Sequence, residues 1–231
     1  MQLPSLKNNF LALSLMAIAS VSSSVVTACS QSPAQNQGNT NNNQPMNHGG
    51  GMMHHSSGMN HSMAMDLGPA DANYDLRFID GMIPHHQSAT LMAKEAQQKS
   101  KRPEIKKLAD EIIKAQNQEI TQMKSWRTAW YPKAGAKPVA YDAQKGQMME
   151  MSSEQMQAMM MNMNLGAADA EFDLRFINAM IPHHEAAVTM AKDALQKSQR
   201  SEIKNLAQAI IKAQDAEINQ MKQWRKAWYS K

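Results

Sequence analysis

The chain has 231 residues, enough for one compact domain with tails or for two small domains. Its net charge of +4 comes from interspersed residues of both signs and forms no basic footprint, so no nucleic-acid partner is expected. A single cysteine, Cys29, excludes an internal disulfide framework and a thiolate zinc site, whereas 22 methionines are several times ordinary usage.

Residues 1–28 have the layout of an export signal. Lys7 precedes an apolar run from Phe10 to Ala19, and a small-residue stretch ends in Val26-Thr27-Ala28-Cys29. The apolar run is too short to span a bilayer as a mature helix, and no later segment reaches the required length. Cys29 suits a lipid anchor of the bacterial lipobox kind, while Val26 and Ala28 suit ordinary cleavage after Ala28 equally well. Export to the cell envelope follows on either reading.

Residues 29–66 are dominated by Asn, Gln, Gly, Ser, His and Met. Such a stretch buries too little apolar surface to offset its ordering entropy, so a flexible tail is expected. His48, His54, His55 and His61 lie in it, interleaved with Met46, Met52, Met53, Met59, Met63 and Met65.

An internal repeat then sets the architecture. Asp75-Leu76-Arg77-Phe78-Ile79 returns as Asp173-Leu174-Arg175-Phe176-Ile177, and Met82-Ile83-Pro84-His85-His86 returns as Met180-Ile181-Pro182-His183-His184, at one constant offset. Phe78, Met82, His85, Ala89 and Met92 are spaced to share one face of an α-helix. Asp71 and Asp169 are expected N-caps, and Pro84 is expected to kink or restart the helix. Pro103 suits the start of a second helix, whose buried face carries Ile105, Leu108, Ile112, Ile120, Met123 and Trp130. Residues 67–131 and 161–231 are thus predicted as helical hairpins. Pairing their apolar faces gives an all-α, ferritin-like four-helix bundle with a connection along its side.

That connection, residues 132–160, is the second methionine-rich stretch. Met148, Met149, Met151, Met156, Met159 and Met160 crowd it, with Met161 and Met163 just beyond. Ser152, Glu154 and Gln155 are placed to cap a short helix there. At the ends of the second helices, Trp126, Trp130, Trp224 and Trp228 are expected to plug the bundle, with Arg127 solvated near the helix end.

Every histidine lies either in the tail or in the two His-His pairs. On a helix Met82 is one turn from both His85 and His86, and Met123 on the partner helix is available from across the bundle. Met180, His183, His184 and Met221 repeat the set. Thioether sulfur is neutral and soft, so it favours Cu(I) or Ag(I) over hard cations, and it survives where thiols are oxidised. Imidazole adds affinity when deprotonated and accepts Cu(II) as well. Met63, Met65, Met161 and Met163 occupy equivalent repeat positions and complete the expected ligand set with His48, Met52, Met53, His54, His55, Met59 and His61. The competing reading makes the paired histidines hydrogen-bonded core residues and the methionines gap-fillers, and this is the preferred reading for Met92 and Met190.

The pattern Phe78-x-x-x-Met82-Ile83-Pro84-His85-His86-x-x-Ala89, followed by Gln116-x-x-Glu119-Ile120-x-x-Met123, resembles a bacterial family of ferritin-like domains long classed as of unknown function. Both copies match it, from about Asp71 to Tyr229. The doubled form with methionine-rich flanks is similar to periplasmic copper-resistance proteins of that family. The resemblance implies Cu(I) and Ag(I) binding at Met82, His85, His86 and Met123 and at their repeat equivalents. It also implies a protective role in the periplasm, with copper ions, and a copper exporter or envelope sensor, as partners. An enzyme is not expected: a di-iron bundle needs Glu-x-x-His motifs that the chain lacks, and a blue-copper centre needs a cysteine ligand. A ferritin-like or copper-dependent oxidoreductase is the alternative, and an adhesion bundle with an incidentally metal-binding tail is a third reading.

Overall fold

A computed structural model describes residues 65–160 and 165–230. The first helix, α1 (Tyr74–Lys99), presents Phe78, Met82, His85, Ala89 and Met92 to the interior, as their spacing requires. A turn closed by the Ser100 hydroxyl, which accepts the Arg102 N–H at 3.1 Å, leads into α2 (Pro103–Trp130). Pro103 stands at the first turn of α2, where its missing N–H costs nothing. The second repeat rebuilds the same hairpin as α4 (Phe172–Lys197) and α5 (Ser201–Tyr229), with Ser198 and Arg200 making the equivalent turn at 3.1 Å.

The two hairpins pair through α1 and α4, which run antiparallel. The Tyr74 hydroxyl at the start of α1 donates to Asp193 near the end of α4 at 2.8 Å. Lys99, at the other end of α1, donates to the Gly166 carbonyl at 2.6 Å, and Lys197 mirrors it on the Gly68 carbonyl at 2.9 Å. One core cluster joins Ala89, Met92, Ile105, Leu108 and Ile112 to Phe172, Phe176, Ile177 and Met221. A second is its counterpart, joining Phe78, Ile79, Met82 and Met123 to Met190, Ile203, Leu206 and Ile210. The result is a four-helix bundle with approximate twofold symmetry.

Both bundle ends are clamped in the same way. Trp126 stacks on Trp130, and Trp224 on Trp228, with ring planes 10° apart. Arg200 lies 4.3 Å from the Trp130 ring centre and pairs with Asp75, while Arg102 lies 4.1 Å from that of Trp228 and pairs with Asp173. The tryptophans therefore close the ends as expected, but with guanidinium groups of the opposite repeat laid over them.

Three local expectations change. The helices pass through Pro84 and Pro182 without restarting, because burial of each helix's inner face outweighs one lost backbone bond. Asp71 does not cap α1. Its carboxylate accepts the Asn73 N–H at 2.9 Å in an Asx-turn and pairs with Arg77 at 2.9 Å, so the helix begins later, at Tyr74. Arg127 is not a solvated end charge. It forms a forked pair with buried Asp80, Nε to Oδ1 at 2.6 Å and Nη2 to Oδ2 at 3.1 Å.

Among the described residues, the connection between the hairpins is the one departure from an all-helical architecture. It holds an antiparallel pair, β1 (Val139–Asp142) and β2 (Gln147–Glu150), and then α3 (Ser153–Met160). Asp142 accepts the N–H groups of Gln144 and Lys145 to shape the hairpin loop, which Gly146 closes at φ 63°. Ser152 and Gln155 form the expected reciprocal capping box, at 2.8 and 3.1 Å. β1 and α3 both lie against α1. Asp80 anchors them there by accepting the Val139 N–H at 2.9 Å, and Arg127 reaches the Gly135 and Lys137 carbonyls.

Among the described residues, no helix is long and apolar enough to cross a membrane. Cys29, His48, Met52, Met53, His54, His55, Met59, His61, Met63, Met161 and Met163 lie outside the described residues.

Candidate metal centre

The antiparallel pairing of α1 and α4 brings the two His-His motifs face to face at the middle of the bundle. The rings of His85 and His183 are 3.8 Å apart between centres, inclined at 38°, on the approximate twofold axis. His86 and His184 flank them, with ring centres 6.4 Å from His85 and 6.2 Å from His183. All four side chains are buried.

The outer pair of imidazoles meets carboxylates from the second helices. His86 Nε2 is 2.7 Å from Glu119 Oε2. His184 Nε2 is the same 2.7 Å from Glu217 Oε2, but off the line of a hydrogen bond. With the His86 Nε2 proton held by Glu119, the His86 Nδ1 atom, buried without a partner, carries the lone pair a metal needs. Glu119 and Glu217 are additions to the ligand set expected from the sequence, and the signal for Glu119 is the helical spacing that sets Gln116, Glu119 and Met123 along one side of a largely apolar face.

The inner pair is different. Neither ring nitrogen of His85 has a hydrogen-bond partner. The His183 ring is likewise without a well-formed bond, although the His85 backbone beside it favours its charged form slightly. Buried, unpartnered nitrogen is costly, by about 1–3 kcal/mol per group. Burial pushes the pKa of both histidines well below the ordinary value, and the neighbouring histidines push in the same direction. Both rings are therefore neutral at pH 7 and keep a lone pair. Gln116 and Gln214 leave further buried Oε1 atoms without partners one turn before the glutamates.

Met82 and Met123 belong to one apolar cluster beside this histidine layer, and Met180 and Met221 to the other; all four are fully buried. Met92 and Met190 are buried in these same two clusters, among alanines, leucines and isoleucines. Among the described residues, no three His, Cys, Asp or Glu side chains converge as a ready-made ion cage. The nitrogen donors come in pairs, with sulfur in the neighbouring layers.

The depressed histidine pKa values give a pH dependence with a definite sign. In the unfolded chain His85 and His183 take up protons below about pH 6.5, and in the folded chain they do not. Stability of the metal-free protein is therefore full above about pH 7. It falls on acidification at about 1.4 kcal/mol per pH unit for each histidine, down to the folded-state pKa. Urea denaturation across a pH series checks this, and a stability that rose on acidification from pH 7 would contradict it.

A duplicated-hairpin helical bundle whose two halves each contribute a histidine pair to a shared centre is the class that this geometry defines. The chain belongs to the family described as a domain of unknown function, DUF305, which matches over residues 23–127 and again over 75–225. It is similar to the solved structures of CopM. The Cu(I)-bound form is 41% identical, with 67% of this chain and 97% of that chain covered at a TM-score of 0.53. The Cu(II)-bound form is 42% identical over the same shares, with a TM-score of 0.54, and a silver-bound form is 38% identical at 0.53. A curated relative, the uncharacterized protein L153 of Acanthamoeba polyphaga mimivirus, is 45% identical over 49 residues, or 21% of this chain. That match spans 32% of the length of L153.

Proposed function

We propose that the protein captures Cu(I), and Ag(I) in its place, and holds or passes on the ion as part of copper resistance in the periplasm. The observation that carries this reading is the set of buried imidazoles with unpartnered nitrogens on the bundle axis, flanked by buried thioethers. A core of pure packing would not retain such groups. Likeness to a protein crystallised with Cu(I), Cu(II) and silver supports the same ions here.

The donor set fits a soft monovalent cation. Cu(I) and Ag(I) accept low coordination numbers and neutral ligands, so two imidazoles with sulfur nearby suffice where Zn or a hard ion needs more donors. Met82, His85, His86 and Met123 serve one half of the centre, and Met180, His183, His184 and Met221 the other. Glu119 and Glu217 orient the outer rings. The tail residues His48, Met52, Met53, His54, His55, Met59 and His61, with Met63, Met65, Met161 and Met163, supply weaker capture outside the bundle. The imidazoles also accept Cu(II). Cys29 anchors the chain by lipid or, after ordinary cleavage behind Ala28, begins the mature chain without one, and a copper exporter or envelope sensor receives or reads the cargo. Copper is cargo in this account, and the protein is no catalyst.

Anaerobic Cu(I) titration of the full mature chain against a chromogenic competitor tests the reading. Saturable capture at the expense of the competitor is expected. A chain that leaves a desalting column free of Cu(I) and Ag(I) would overturn it, and turnover of Cu(I) under air would favour the oxidoreductase instead.

A further inference from the structure

We propose a second soft-metal site, separate from the histidine centre and built from thioethers alone: Met65, Met151, Met156 and Met159, beneath the hairpin that joins the two repeats. It deepens the soft-metal reading above and rests on it.

The connection has a small core of its own. Ala140, Met151 and Met159 are buried in it, and Met65 and Met156 pack against it half-buried. Among the described residues, no leucine, isoleucine, valine or phenylalanine takes part. The same chain builds its bundle core from Ile79, Leu108, Ile112, Phe176 and Ile210, so branched and aromatic side chains are used where burial is the task. Methionine specifies packing poorly because three torsions stay soft, and a core made of it alone sacrifices definition. What four methionines add is a group of neutral, polarizable sulfurs.

The backbone holds these side chains in place from three directions. The Met151 N–H donates to the Pro138 carbonyl at 2.8 Å, which ties it to the hairpin. The Ser152–Gln155 capping box fixes the start of α3, and on α3 Met156 and Met159 are three residues apart and share a face. Met65 comes from the strand of chain before α1 and touches both this cluster and the bundle core. Its seat depends on Gly81, where a Cβ would lie 2.5 Å from Met65 Cε. The second repeat has Ala179 at the equivalent position, so the seat belongs to the first repeat.

The ligand class follows from the donors. The described side chains of the cluster other than Ala140 are thioethers, neutral soft donors that suit the single diffuse charge of Cu(I) or Ag(I) better than a divalent ion that calls for anionic ligands. Two buried sulfurs give a desolvated floor, and the half-exposed Met65 and Met156 give access from solvent. Thioethers do not protonate, so this site keeps its ion at a pH where imidazoles release theirs.

The test uses the full chain labelled with 13C at the methionine methyls and titrated with Ag(I) at pH 7 and pH 5. The resonances of Met65, Met151, Met156 and Met159 are expected to move together, with the same Ag(I) dependence at both pH values. The volume-conserving variant M151L/M156L/M159L is expected to bind about one Ag(I) fewer while keeping its thermal transition. Gly81→Ala, which removes no sulfur and raises helix propensity, is expected to weaken the same resonance response by displacing Met65. Methyl resonances that stay fixed in excess Ag(I), or a triple variant with wild-type capacity, would overturn the proposal and leave the cluster as packing. If Ag(I) still moved the methyl resonances of Met82, Met123, Met180 and Met221 in that case, only this site would fall. If nothing in the chain responded, the metal reading would fall with it.

Discussion

The double variant H85L/H183L is expected to be more stable than the wild type in the absence of metal and to bind Cu(I) at least about 100-fold more weakly. The opposite signs have one cause. Each inner imidazole is buried with ring nitrogens that lack well-formed hydrogen bonds. Leucine has similar volume and no polar atom, so the substitution removes the cost of an orphaned group, about 1–3 kcal/mol at each position, and adds apolar contact. The same change deletes the two lone pairs nearest the twofold axis. Losing an outer-shell partner of a metal commonly costs 10–100-fold in affinity, and losing a ligand costs more. The variant also flattens the acid dependence of metal-free stability below about pH 6.5, since the two depressed histidines that cause it are gone. Denaturation of the apo protein and competitive Cu(I) titration read the two effects separately. A fall in apo stability would show that the rings contribute packing, and unchanged Cu(I) affinity would move the centre elsewhere.

The second large effect is at Asp80. Asp80→Ala is expected to lower stability by about 3 kcal/mol, whereas Asn178→Ala, its counterpart in the other repeat, should cost less than about 0.5 kcal/mol. Asp80 is buried, holds Arg127 with both carboxylate oxygens and also accepts the Val139 N–H. Deleting it leaves a guanidinium and a backbone donor short of partners at once. Arg127 keeps its bonds to the Gly135 and Lys137 carbonyls and some access to water, which holds the cost to the lower end for a buried pair. Asn178 is exposed and meets Arg225 at 3.3 Å, and among the described residues it fastens no hairpin. Hydrogen exchange in β1 should accelerate in the Asp80 variant and stay unchanged in the Asn178 variant. Equal losses would mean that Asp80 does not anchor the hairpin.

Much of this molecule could be read in the chain before any coordinates. The constant offset between the copies shows that each half is the same hairpin, and the spacing of Phe78, Met82, His85, Ala89 and Met92 shows the buried face. Ser152 and Gln155 announce the start of α3 because a capping box is local chemistry. The β-hairpin was not legible: Val139–Asp142 and Gln147–Glu150 are short, methionine hides their alternation, and their stability comes from Asp80, distant in sequence. Arg77 was missed for a similar reason. Its guanidinium is buried by carbonyls of Leu67 and Pro69 and by Asp71, a pocket that forms only when the loop folds over α1. The likeness of the two His-His motifs was visible, but their meeting at 3.8 Å depends on the antiparallel crossing of α1 and α4. Glu119 stood in plain view on its stripe, and only the partner it faces gave it a role.

Because that crossing takes one imidazole of the inner pair from each repeat, a lone hairpin owns half of the proposed binding centre. Two separate hairpins would have to find each other before loading, and their grip on an ion would weaken with dilution as the square of concentration enters the balance. Fusing the copies makes the encounter intramolecular, so occupancy follows the ion alone, even in a compartment where the protein is scarce. Fusion also frees the two outer faces from being identical: Asp80 fastens a hairpin where its counterpart Asn178 meets only Arg225 among the described residues.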